Sequence, residues 1–246
     1  MPISVRSSRD SRNVHTVVLE DPGGFNLINL KGWNDLNDNI VDFGNSDSKL
    51  LVIRSNSKLF SGGIDLKEIA VMNDEQIDSY VNTVKKFAIN FLKLKKPVLT
   101  LLQGDAFGAG TEIILLSDLV IAVEDSKITF PFARFGIYPP VPMILLSYYS
   151  PRKMIELLML GSTIDAKEAK EAEIVSQVCK RDEVESVSNR MIDTIMNTSP
   201  AILGAIKERK WTLASDALET EFYKFEESIK SSESRIMIRK FLGLKD

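Results

Sequence analysis

Short apolar runs rich in Val, Ile and Leu recur at about residues 14–19, 50–54, 97–103, 118–123 and 174–178, each bounded by Gly, Pro, Asp or Ser. Runs of that length with turn formers at both ends predict strands. Between most of them the apolar positions take a helical period, at about 33–42, 76–94, 110–117, 151–160 and 166–172. This alternation predicts an α/β architecture. At the N-terminus Ile3 and Val5 alternate with polar residues, turn formers follow, and Val14 resumes an apolar run. That pattern predicts a β-hairpin, although Arg6, Arg9 and Arg12 give the segment some likeness to a transit peptide.

From about residue 183 the strand pattern stops and the remainder is helical. Ser199-Pro200 is a candidate N-cap and first-turn pair, Asp216 with Glu219 has capping-box spacing, and Gly243 falls near the end of the last helix. The chain therefore divides into a core over 1–198 and an all-helical region over 199–246. Its 246 residues suit one large domain with such an appendage.

An apolar content of 44% is ordinary for a globular chain. Lys and Arg total 31 against 34 Asp and Glu, a net charge of −3, so the broad basic field of a nucleic-acid binder is absent and no nucleic-acid partner is expected. No apolar stretch approaches the ~20 residues of a membrane helix, so no membrane partner is expected and the cytoplasm is the default compartment. Cys179, the single cysteine, lies in the alternating "IVSQVCK", where a buried thiol is expected; disulfides and cysteine-held zinc within the chain are excluded. The only histidine, His15, sits in the strand-like "NVHTVVL", a poor place for a Ser-His-Asp triad. No metal site is expected.

Two glycine-bearing turns carry the candidate chemistry. In "PVLTLLQGDAFGAGTEIILLSDLVIAV", residues 97–123, a strand gives way to Gly104, Gly108 and Gly110, then to a short apolar helix carrying Glu112. A helix N-terminus leaves N–H groups unpaired and partly positive, so the Gly108–Gly110 backbone can stabilise developing negative charge. Glu112 could simply complement the helix dipole, but Ala109 cannot complete a capping box with it, which favours a catalytic role. In "FSGGIDL", residues 60–66, Asp65 with Glu68 has capping-box spacing and is an N-cap candidate, which leaves the backbone at Gly62 and Gly63 uncovered. Two N–H groups converging on one oxygen make an oxyanion hole, suited to a carbonyl that becomes enolate-like.

These residues resemble the crotonase (enoyl-CoA hydratase/isomerase) superfamily. The matching stretches are "FSGGIDLKE" at 60–68 and "GDAFGAGTEI" at 104–113 with Asp118, supported by "LEDPGGFNLI" at 19–28 and "GSTIDAKEAKEAEIVSQV" at 161–178. The resemblance implies a ββα spiral core with a helical C-terminal region, assembled as a homotrimer or a dimer of trimers. It also implies an acyl-CoA thioester as substrate, with no cofactor beyond the coenzyme A that the substrate carries. By position, Gly62 and Ala109 would supply the oxyanion hole and Glu112 would move the proton. Gly62, Gly63, Ile64 and Asp65 would line the thioester and pantetheine, Lys58 and Lys67 would meet phosphates or adenine, and Phe107, Ala109, Phe132 and Tyr138 would complete the binding set.

One departure matters. Family hydratases use a second glutamate about twenty residues after the first, and ungapped counting places Phe132 there. Hydration needs water held and deprotonated while the α-carbon is protonated, work that two carboxylates usually share. One carboxylate can instead carry a proton from the α- to the γ-carbon, so the resemblance implies a lyase or isomerase whose hydratase activity is in doubt. Tyr138 and Asp105 are candidate replacement acids. The loop "PVPMILLSYYS" at 140–150 lacks the family's glycine cluster and is about two residues short, which implies a reshaped acyl pocket. A non-catalytic acyl-CoA-binding relative is the alternative. A short-chain dehydrogenase, suggested by "GDAFGAG" with Tyr149 and Lys153, is disfavoured because Gly110 to Asp118 is too short for a βαβ crossover and Pro151 separates Tyr149 from Lys153.

Overall fold

A computed structural model describes residues 3–244, so Met1, Pro2, Lys245 and Asp246, the outermost positions of the two expected regions, lie outside it. In chain order the strands are β1 (Ser4–Arg9), β2 (Val14–Glu20), β3 (Leu27–Ile28), β4 (Leu50–Ser55), β5 (Gly63–Ile64), β6 (Val98–Leu102), β7 (Ala106–Phe107), β8 (Leu119–Val123), β9 (Lys127–Thr129), β10 (Thr163–Asp165) and β11 (Gln177–Cys179). The helices are α1 (Leu30–Asn45), α2 (Leu66–Ile69), α3 (Asp74–Lys93), α4 (Ala109–Leu116), α5 (Pro140–Ile144), α6 (Pro151–Leu160), α7 (Ala166–Glu171), α8 (Val184–Met196), α9 (Pro200–Ala214), α10 (Leu218–Lys230) and α11 (Ser232–Phe241).

The main sheet runs β1-β2-β4-β6-β8-β11. The expected hairpin is its antiparallel edge, β1 on β2, and every other pairing in it is parallel. Parallel strands covered on both faces read as continuous apolar runs. All five residues of β6 are buried, as that rule requires. β2, β4, β6 and β8 are each followed by a two- or three-residue strand turned out of the main sheet, and then by a helical turn or helix. β4 leads through β5 to α2 and α3, and β6 leads through β7 to α4. The short strands form their own sheets, β3-β5 and β10-β9-β7. This is the ββα spiral, and the two glycine turns are the places where consecutive turns of it meet.

Helix extents follow the sequence closely, with α6 matching and the others differing by a few residues at their ends. Two expectations are corrected. The strand at 174–178 begins only at Gln177, because Ile174 and Val175 N–H groups fold back onto Ala169 O behind Glu173, which holds a left-handed φ of 64°. Asp216 caps nothing with Glu219: Ser215–Ala217 form a 3-10 turn that continues into α10, whose N-cap Ala217 has no side-chain bond. Gly243 does follow the last helix, at φ 68°.

Candidate active site

α4 is buried along its whole length, and close approach sets its position. A Cβ at Gly110 would lie 2.8 Å from Ser61 Cβ, and one at Gly63, where φ is 89°, would lie 2.9 Å from Phe107 O. Only glycine lets these two turns touch. Ala109 and Gly110 open α4, so their N–H groups have no partner within the helix, while Gly108 O accepts from both Thr111 and Glu112 N–H.

The other oxyanion donor expected from sequence is corrected. Gly62 N–H already donates to Phe25 O at 2.7 Å, and Gly63 N–H donates to Ser61 Oγ at 3.1 Å. Asp65 N–H faces β3, donating to Ile28 O at 3.0 Å. Ile64, two residues beyond Gly62, lines the same cavity as Ala109, and a Cβ at Gly63 would lie 3.5 Å from Ala109 N.

Gly62, Gly63, Ile64, Ala109, Glu112 and Phe132 come together around one cavity of about 60 Å³. Trp33 from α1, Leu66 from α2, Val84 from α3, Phe135 and Ile137 from the loop before α5, and Phe225 from α10 add to its apolar wall. None of these six was singled out by the sequence: Trp33, Val84 and Phe225 lie on helices whose spacing marks them only as core, and Leu66, Phe135 and Ile137 lie in short turns with no period to read. Trp33 is fixed from behind by Nε1–H donation to Tyr80 Oη at 2.9 Å.

Glu112 is the one lining residue with an ionisable side chain among the described residues, and it is 4% exposed. Burial pushes its carboxyl up to about 8, opposed only by the Val141 N–H, which reaches Oε1 at 3.4 Å. The group rests largely protonated at neutral pH.

Other expected site residues sit elsewhere. Tyr138 turns from the cavity toward α10, donating its hydroxyl to Glu221 beneath Lys224, and burial together with Glu221 raises its phenol far above the ordinary range. Asp105 accepts Lys127 N–H at 2.9 Å outside the cavity. Neither candidate replacement acid faces Glu112. Asp65 is the N-cap of α2, accepting Lys67 N–H, while Glu68 bonds Leu30 N–H rather than closing a capping box. Phe107 is half-buried on β7, and Lys58 and Lys67 are exposed outside the cavity wall.

The far end of α4 is tied to the C-terminal helices. Lys210 Nζ of α9 donates to Leu115, Leu116 and Ser117 carbonyls at 3.3, 2.8 and 3.0 Å, and Tyr149 hydroxyl donates to Leu115 O at 2.6 Å. A cation at a helix C-terminus complements its dipole, and here it also satisfies carbonyls that have no helical partner. Lys207 pairs with Asp118 at 2.6 Å beside it. Both ends of the glutamate-bearing helix are thus held, one by glycine contacts and one by α9.

A buried carboxyl in an apolar cavity beside the opening turn of a helix, whose first N–H groups have no partner within it, defines a class of site that can move a proton next to a carbonyl. The enoyl-CoA hydratase/isomerase family model matches residues 9–240, and the chain belongs to that family. It is 26% identical over 223 residues to enoyl-CoA hydratase domain-containing protein 3, mitochondrial, of Mus musculus, covering 88% of this chain and 73% of that protein. It is 27% identical over 207 residues to a probable mitochondrial enoyl-CoA hydratase of Dictyostelium discoideum, covering 78% and 74%. In fold it matches crystal structures of enoyl-CoA hydratases from Bacillus halodurans (TM-score 0.86, 19% identity, 96% of this chain and 99% of that one) and Mycobacterium avium subsp. paratuberculosis K-10 (0.86, 20%, 98% and 97%).

Proposed function

We propose that this protein moves the double bond of an acyl-CoA thioester, with Glu112 as the single proton carrier. The observation that carries the reading is the cavity's make-up: one carboxyl, Glu112, and a phenyl ring, Phe132, where a hydratase would place its second acid. In a 3-enoyl thioester, ionised Glu112 takes a proton from the α-carbon. The electron pair moves into a dienolate whose oxygen accepts from Ile64 and Ala109 N–H. The same carboxyl, now neutral, returns the proton to the γ-carbon, leaving the double bond between the α- and β-carbons and the enzyme as it began.

Water addition needs a second group to hold and deprotonate the water. Trp33, Phe132, Phe135 and Phe225 offer none. Chromatography of a 3-enoyl-CoA incubated with the protein tests the reading. Conversion to the 2-enoyl isomer that is lost in Glu112→Gln is expected, and no conversion by wild type across short and medium acyl chains would overturn it.

A further inference from the structure

Among the described residues the Glu112 carboxyl has a single hydrogen-bond partner, and the chain around that partner accounts for the scarcity. Val141 N–H meets Oε1 at 3.4 Å, long for an N–H···O bond. Val141 is the second residue of α5, with Pro139 as N-cap and Pro140 as the first helical residue. The first N–H groups of a helix lack partners within it, so they are the donors available to a carboxyl packed against that turn. Proline has no N–H. Of positions 139–142, which read Pro-Pro-Val-Pro, only Val141 carries a donor at all.

Carboxylates that accept two or three backbone N–H bonds stay ionised even when enclosed. Here one long bond acts against an apolar enclosure of Trp33, Phe132, Ile137 and Phe225. Three prolines in four positions also fix the backbone, so the turn cannot easily swing a further N–H inward.

We propose that Pro139-Pro140-Val141-Pro142 is a donor-depleted wall: Val141 is a positioning residue whose N–H aims the Glu112 carboxyl, and the prolines withhold the bonds that would keep it ionised. For its bearing on catalysis the inference rests on the proposed role of Glu112. The wall then decides in which protonation state Glu112 meets substrate, and the pH at which the enzyme becomes competent.

Titration of the Glu112 carboxyl without substrate tests this directly. The protein is labelled at the glutamate side-chain carboxyl carbon, followed by carbon NMR against pH, with Glu112→Gln identifying the signal. Wild type is expected to titrate near pH 8. Pro142→Ala restores an N–H beside that of Val141 and is expected to lower the midpoint by roughly one pH unit or more, with Pro140→Ala moving it the same way. Val141→Ala keeps its N–H and is expected to leave the midpoint in place. Circular dichroism confirms that each variant is folded.

Proline variants that titrate with wild type, or a Val141→Ala variant that shifts as far as they do, would overturn the inference. Turnover is read separately. A wild type that converts no enoyl-CoA contradicts the proposed function while the titration still decides the wall, and an acid limb of kcat/KM that moves with the NMR midpoint supports both.

Discussion

Glu112 and Phe132 face each other's space in one cavity, the carboxyl from α4 and the ring from the 3-10 turn that follows β9. Replacing that ring by a carboxylate supplies the group that hydration lacks. Phe132→Glu is expected to gain water addition to 2-enoyl-CoA by at least tenfold over wild type, since a positioned acid or base contributes roughly a hundredfold or more. Mass gain from heavy-oxygen water measures it. A folded variant with no gain would mean that position 132 does not address the reacting carbons.

The pH dependence follows from the proposed role of Glu112 as the base. Its carboxyl is held up to about 8 by burial, so the ionised fraction falls about tenfold for each pH unit below that. The kcat/KM for isomerisation is expected to rise with pH to a plateau above 8. A profile flat from pH 5 to 9 would show that Glu112 is already ionised in the free protein, or is not the base.

The same burial sets a cost in stability. Below the ordinary carboxyl value of 4.5 folded and unfolded chains both hold the proton. Between 4.5 and about 8 only the unfolded chain releases it, so stability falls as pH rises through that window and then levels off. The loss is about 3 kcal/mol at pH 7. Glu112→Gln is therefore expected to be more stable than wild type by about that amount at pH 7, with the gap closed near pH 4. Urea unfolding at the two pH values measures it, and a variant less stable at pH 7 would contradict the neutral, buried carboxyl.

Much of this site was legible in the sequence. The paired glycine turns and Glu112 stand at characteristic separations, and the structure brings them together because Gly63 and Gly110 permit a contact that a side chain would block. The identity of the second donor was not legible. That Gly62 N–H is spent on Phe25 O depends on a long-range contact, and two-residue strands leave no periodicity to read. The walls were hidden for a different reason: Trp33, Val84 and Phe225 lie on three separate helices whose spacing records burial but not what is buried against what. Tyr138 failed as a candidate acid because its hydroxyl finds Glu221 on α10, a contact 83 residues away in sequence.

Phe225 shows what the helical region adds to the site. It reaches from α10 into the cavity beside Trp33 and Phe132. Phe225→Leu, and more strongly Phe225→Ala, are expected to raise kcat/KM for long-chain relative to short-chain enoyl-CoA. Removing a buried ring costs about 3–5 kcal/mol, so the leucine variant guards against simple unfolding. An unchanged chain-length ranking in both folded variants would place the acyl limit elsewhere.

The most direct test of single-carboxylate chemistry is mass spectrometry of a 3-enoyl-CoA turned over in heavy water, by wild type and by Glu112→Gln. The expected product is 2-enoyl-CoA carrying at most one new deuterium in each turnover, located on the γ-carbon, with no added water and no reaction in the variant. A product that has gained heavy water, or turnover undiminished in Glu112→Gln, would contradict it.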